Sequence, residues 1–166
     1  MKDESLLGLL AIYLMTILFV ITNLIHFNFA QFLQTFPMLD LMAIFYFAVF
    51  RKIFAVWFLF FIGLWHDAIM GNVLGLTSFL NIFLVKLFII INSRLMIRDS
   101  FSHVWYQFSI FSALFLLIKW FILSSLYNDF YNILWLLFSW ILSSLLYFVI
   151  HKFFDYISAK LLRIHH

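Results

Sequence analysis

The chain has no cysteine, one proline and four glycines in 166 residues. Without cysteine there is no disulfide framework, no thiolate metal site and no cysteine nucleophile. With so little proline and glycine there is no low-complexity linker. Charge is also scarce. Ten Lys plus Arg and seven Asp plus Glu make up 10% of the chain, against about 25% in a typical soluble domain. What is present instead is apolar: 67% of the residues are hydrophobic, 23% are aromatic, and the mean hydropathy is +1.12. No polar face remains to meet water, so the composition places the chain in a bilayer. The net charge of +3 and the pI near 9.3 do not indicate nucleic acid, because the cations form neither a cluster nor a stripe. They are read as topology signals.

A membrane-crossing helix needs roughly 20 mostly apolar residues. Six such stretches fit, at about residues 5–25, 31–50, 53–70, 73–92, 101–126 and 131–154, which predicts an all-α polytopic bundle forming one membrane domain. The second contains Pro37, and a kink or a locally thinned bilayer is expected there. The forty residues from Ile53 to Asn92 would span about 60 Å as one helix, so a turn is required midway, and Gly71-Asn72 has the chemistry for it. With six crossings, Lys2, Arg51, Lys52, Arg94, Arg98, Lys152, Lys160 and Arg163 all fall on one side. That side is cytoplasmic by the positive-inside rule, and so are both termini. Omitting the second crossing would put Arg51 and Lys52 opposite Arg94 and Arg98. Trp57, Trp65, Trp105, Trp120 and Trp135 lie nearer span ends than centres, as an interfacial belt requires.

The polar exceptions carry the specific information. In Gly63-Leu-Trp-His-Asp67-Ala-Ile-Met-Gly71-Asn-Val-Leu-Gly75, small or acidic residues recur every four positions. On a helix this places Gly63 and Asp67 on one face, with Gly71 continuing it to the turn, and small residues at that spacing let another helix approach. The plain reading is helix packing and a turn without a ligand. A carboxylate within a span costs about 2.5–3.5 kcal/mol at the centre on insertion scales and usually faces the bundle or a cavity, so a specific polar contact for Asp67 is the competing reading. Asp40, one turn after Pro37, and Asp129 lie on the same outer side. Lys119 is the expected counter-ion of Asp67 if its stem snorkels outward. Adjacent His66 and Asp67 point about 100° apart and are not expected to form a dyad. His26, His66, His103 and His151 offer no metal-chelating pair, and His165-His166 is either native or a tag remnant. No phosphate loop, nucleophile elbow or zinc-protease helix is present. Ser139 and Ser143 suit helix contacts better than catalysis. Neither an enzymatic activity nor a cofactor is expected.

Six short-looped spans, Pro37 opening the second, and the comb Gly63-x-x-x-Asp67-x-x-x-Gly71-x-x-x-Gly75 resemble the rod shape-determining protein MreD family. The specific match covers roughly residues 37–75. The resemblance implies an inner-membrane subunit of the bacterial elongation machinery with no enzymatic activity. It also implies partners: the bitopic MreC, the filament protein MreB, and the RodA and transpeptidase wall synthases. By the same resemblance, the fold is similar to the substrate-binding subunits of energy-coupling-factor transporters, and Pro37, Asp40, Gly63, Asp67, Gly71, Gly75 and Lys119 become structural or partner contacts. The alternative is a small-molecule-binding subunit of a transporter, with the carboxylates and Lys119 lining an outward pocket.

Overall fold

The computed structural model describes residues 2–27, 38–95, 101–127 and 133–162. All regular structure among them is helical. Helix α1 spans Lys2–Phe27 and α2 Leu39–Ile44, the latter running directly into a π-helical segment, Phe45–Phe50. After a short connector come α3 (Val56–Met70), α4 (Leu76–Leu95), α5 (Phe101–Tyr127) and α6 (Ile133–Leu162). Helices α4, α5 and α6 are long and apolar enough to cross a membrane. The described apolar stretches Gly8–Thr22, Leu39–Phe50 and Val56–Met70 are shorter. Pro37 and the residues before it in the expected second span lie outside the described residues, as does the bend expected there.

The described half of that second span is the centre of the bundle. Residues 41–49 are all buried, and α1, α4, α5 and α6 pack around them. A stretch that is apolar on every side can be enclosed in this way. Being sheathed in protein, it does not need the length of a lipid-exposed span. Phe45 shows the arrangement: its ring meets Phe88 of α4 at 6.4 Å, Phe108 and Phe111 of α5 at 5.5 and 5.2 Å, and Tyr147 of α6 at 5.9 Å. The segment ends with the Arg51 N–H bonded to the Tyr46 carbonyl at 2.9 Å and the Ile53 N–H bonded to that of Phe47 at 2.7 Å. These wide turns bring the chain round into α3.

The outer helices sort their residues by face. In α1, Gly8, Ile12, Thr16 and Val20 are buried while Leu10, Leu14 and Leu18 are exposed, two stripes at the four-residue spacing of one helix. Exposed Phe, Leu, Ile and Trp continue over α3 and α6, a surface suited to lipid and not to water. Trp57, Trp65 and Trp135 belong to it. Trp105 and Trp140 differ, donating their indole N–H groups across the α5–α6 interface to the carbonyls of Ser144 and Ser109 at 2.8 and 2.9 Å. Trp105 is therefore a helix tie as well as a residue near a span end. Helix α6 runs eight residues beyond the expected end at Phe154.

The glycine comb divides into two functions. Gly63 sits where α3 meets α4, and a Cβ placed on it would lie 2.5 Å from the Ser78 Cα and 2.6 Å from the Ser78 nitrogen. The Ser78 hydroxyl donates to the Phe60 carbonyl at 2.7 Å, closing the same contact. Gly71 and Gly75 do not extend this packing face, since added Cβ atoms there would meet nothing within 4 Å. They are needed for their backbone: Gly71 ends α3 at φ 65° and Gly75 turns into α4 at φ 92°, in the left-handed region that glycine enters without strain. Gly63→Ala should therefore cost about 1–3 kcal/mol through overpacking against α4 backbone, and Gly71→Ala roughly 1 kcal/mol through strain. Thermal unfolding of the two variants in detergent checks the ranking, and a smaller loss at Gly63 would show that the two helices have slack between them.

Candidate functional site

Three of the ionisable residues singled out in the sequence, Asp40, His66 and Asp67, come together where α3 turns into α4. Helix α3 buries adjacent pairs of residues in successive turns: Phe58 and Leu59, Ile62 and Gly63, His66 and Asp67. That broad face carries Asp67 to the α4 interface, fully buried. Its Oδ2 accepts the backbone N–H of Thr77 at 2.8 Å. Thr77 lies in the first turn of α4, whose amides have no partner within their own helix and where the helix dipole favours a negative charge. Asp67 thus caps the next helix in space. Its backbone carbonyl meanwhile accepts the N–H groups of Gly71 and Asn72, so one residue terminates α3 and starts α4.

His66 stands between two carboxylates. Its Nδ1 is 3.9 Å from Asp67 Oδ1, and its Nε2 is 3.9 Å from Asp40 Oδ2, an acid in the first turn of α2. Both separations exceed a hydrogen bond, so His66 and Asp67 form no dyad. They are nevertheless neighbours, because the buried face of α3 is broad enough to hold both. Asp67 Oδ1 and His66 Nδ1 have no hydrogen-bond partner among the described residues, and the same holds for the buried Thr77 Oγ1 and Asn81 Oδ1 on α4. Lys119, half-buried on α5, acts electrostatically on both Asp40 and Asp67. Its ammonium lies 5.8 Å from the centre of the Phe115 ring, and among the described residues no ion pair within 4.0 Å joins it to either acid. The expected direct pairing of Lys119 with Asp67 is therefore replaced by the α4 amide as the contact, with Lys119 acting at longer range. Asp129, His165 and His166 lie outside the described residues.

A second polar cluster, at the opposite end of α3, is one that the sequence reading missed. Asp155 of α6 accepts the Tyr46 hydroxyl and, at 3.1 Å, Arg51 Nη2. Arg51 Nε also donates to the Tyr46 oxygen at 3.1 Å. The other carboxylate oxygen lies 3.3 Å from His151 Nε2, and His151 Nδ1 lies 3.3 Å from the Tyr147 hydroxyl. The local signal was the His151–Asp155 spacing of four, which puts both on one side of a helix. Its reach to Arg51, 104 positions away, was not visible in it. Serines serve the same joining role: Ser143 Oγ accepts the Met38 N–H at 3.1 Å, tying the start of α2 to α6.

Both clusters place charge at helix junctions. No family model, no curated protein and no solved structure matches this chain. The Asp155 cluster is expected to be structural. Asp155→Ala leaves Tyr46, Arg51 and His151 without their shared acceptor and should cost about 1–3 kcal/mol, while Tyr46→Phe, removing one hydroxyl, should cost about 1 kcal/mol. Denaturation in detergent measures both, and an Asp155→Ala variant as stable as the parent would show the cluster to be incidental.

Proposed function

We propose that the chain is a non-enzymatic, multi-pass subunit of the bacterial inner membrane that organises the cell-elongation machinery through helix contacts. The partners are those the MreD-like motif implies: an MreC-like bitopic protein, an MreB-like filament protein, and RodA and transpeptidase wall synthases. The observation that carries this reading is the internal use of Asp67. The acid at the centre of the motif is fully buried and holds the Thr77 amide, so the motif builds a rigid hairpin instead of displaying a reactive group. The partner surface is then the apolar outside of the helices, and Asp67 supports it from within. In this reading the chain crosses the bilayer six times with both termini cytoplasmic, because the cations of the short loops then share one side. The bundle this reading expects, by the same resemblance, is one like that of energy-coupling-factor substrate-binding subunits. Helix α3, 15 residues long and so about 22 Å, then crosses a locally thinned bilayer.

A transporter subunit binding a small molecule is the second reading. It draws on the unpaired buried oxygens of Asp67, Thr77 and Asn81, which are groups a polar ligand would satisfy. Purification from native membranes with mild detergent separates the two. The scaffold reading expects a bitopic protein with a periplasmic domain to copurify, and rounding of rod-shaped cells when the chain is depleted. A tightly held vitamin-sized molecule, with normal cell shape on depletion, would overturn it in favour of transport.

A further inference from the structure

We propose that the Arg51 end of the bundle carries a binding site for an anionic phospholipid, formed by Lys52, Lys152 and Lys160 together with the exposed rings of Phe148 and Tyr156. The inference rests on the membrane placement of the helices and not on the protein partners proposed above. Phe148, Lys152, Tyr156 and Lys160 follow one another at intervals of four on α6 and so form one stripe along the helix. All four are exposed. The Lys152 ammonium lies 5.2 Å from the centre of the Phe148 ring, and that of Lys160 lies 5.9 Å from the centre of Tyr156. Each lysine therefore lies back along the helix over an aromatic face, its stem on apolar surface and its charge at the edge of it. A phospholipid needs the same juxtaposition, with hydrocarbon beside its chains and a cation beside its phosphate.

The charge balance at this end leaves these cations available. Asp155, the acid of this stretch of α6, is engaged by Arg51, Tyr46 and His151. Among the described residues neither Lys152 nor Lys160 has an ion pair within 4.0 Å. Arg51, bonded to Asp155, also fixes the position of the connector that follows it. There Lys52 adopts φ 55°, in the left-handed region a lysine rarely enters, between the backbone bonds of Arg51 to Tyr46 and of Ile53 to Phe47. The strained residue is exposed. Because Arg51 contacts Asp155, Lys52 belongs to the same end as the α6 stripe. Helix α6, 30 residues long, measures about 45 Å against a hydrocarbon core of about 30 Å, so it is longer than an untilted crossing needs, and Lys152 and Lys160 lie towards its C-terminal end. The face of α6 leading to them carries exposed Leu145, Val149 and Phe153, a track for acyl chains.

The test uses purified full-length protein in detergent, incubated with phosphatidylglycerol or phosphatidylcholine and examined by native mass spectrometry. Phosphatidylglycerol should be retained in preference to phosphatidylcholine. Lys52→Gln, Lys152→Gln and Lys160→Gln should each weaken that retention about fivefold, the ratio corresponding to about 1 kcal/mol per cation near an anionic surface. Lys86→Gln, replacing an exposed lysine on α4, should leave it unchanged, and lipid-free thermal unfolding of all four variants should match the parent. Equal retention of the two lipids, undiminished retention when Lys52→Gln, Lys152→Gln and Lys160→Gln are combined in one chain, or displacement of phosphatidylglycerol by millimolar inorganic phosphate would each overturn the proposal.

Discussion

The hydrogen bond from the Thr77 amide to the Asp67 carboxylate is the constraint on which the arrangement of α3 and α4 depends. A helix that begins in a low-dielectric interior has first-turn amides that water cannot reach, and each one left unpaired costs several kcal/mol. Asp67 removes that cost for the Thr77 amide, while the N–H groups of Leu76 and Phe79 bond the Val73 and Gly75 carbonyls. Its own burial is tolerable for the same reason, because the carboxylate meets the positive end of a helix. One turn before Asp67 on α3, Gly63 meets the Ser78 backbone of α4, where only a hydrogen atom fits.

The bundle is then fastened at its other end by a different kind of contact. Asp155 gathers Arg51, Tyr46 and His151, joining the π-helical segment to α6. A half-exposed acid with an arginine beside it is a weaker lock than a buried network, but here it acts with the aromatic packing of Phe45, Phe47 and Phe154 around the same segment. The central helix is thus held at Met38 by Ser143 and at Tyr46 by Asp155, both residues of α6. The serines and tryptophans of α5 and α6 add hydrogen bonds between helices whose lipid-facing sides offer none.

Local spacing made part of this legible. The four-residue interval of Gly63 and Asp67 put them on one face whatever the tertiary structure, and Gly71-Asn72 was the pair able to turn the chain. The apolar runs at α4 and α5 marked helices long enough to cross a membrane. Spacing says nothing about partners distant in sequence. Charge and depth make Lys119 the expected counter-ion of Asp67, whereas the group that bonds it is a backbone amide, which every residue but proline has and no composition reveals. Hydropathy marks the second apolar run as a span but does not place it among the helices, and residues 41–49 prove to lie buried at the centre of the bundle. Asp155 lies one residue beyond the expected end of the sixth span at Phe154, and its partners Tyr46 and Arg51 are 109 and 104 positions away in the chain. The functional reading draws on the residues between Pro37 and Gly75, and Pro37 itself lies outside the described residues.

Asp67 acts as a hydrogen-bond acceptor for α4 and not as the anionic half of an ion pair. Comparing Asp67→Asn with Asp67→Ala in thermal or chemical denaturation, each with and without Lys119→Met, tests this most directly. An asparagine side chain keeps an oxygen able to accept the Thr77 N–H, so Asp67→Asn should retain most of the stability, while Asp67→Ala should lose about 1–3 kcal/mol. Adding Lys119→Met should recover little in either background. Asp67→Asn as damaging as Asp67→Ala, with the loss restored by Lys119→Met, would contradict the account and make the lysine the true partner of the acid.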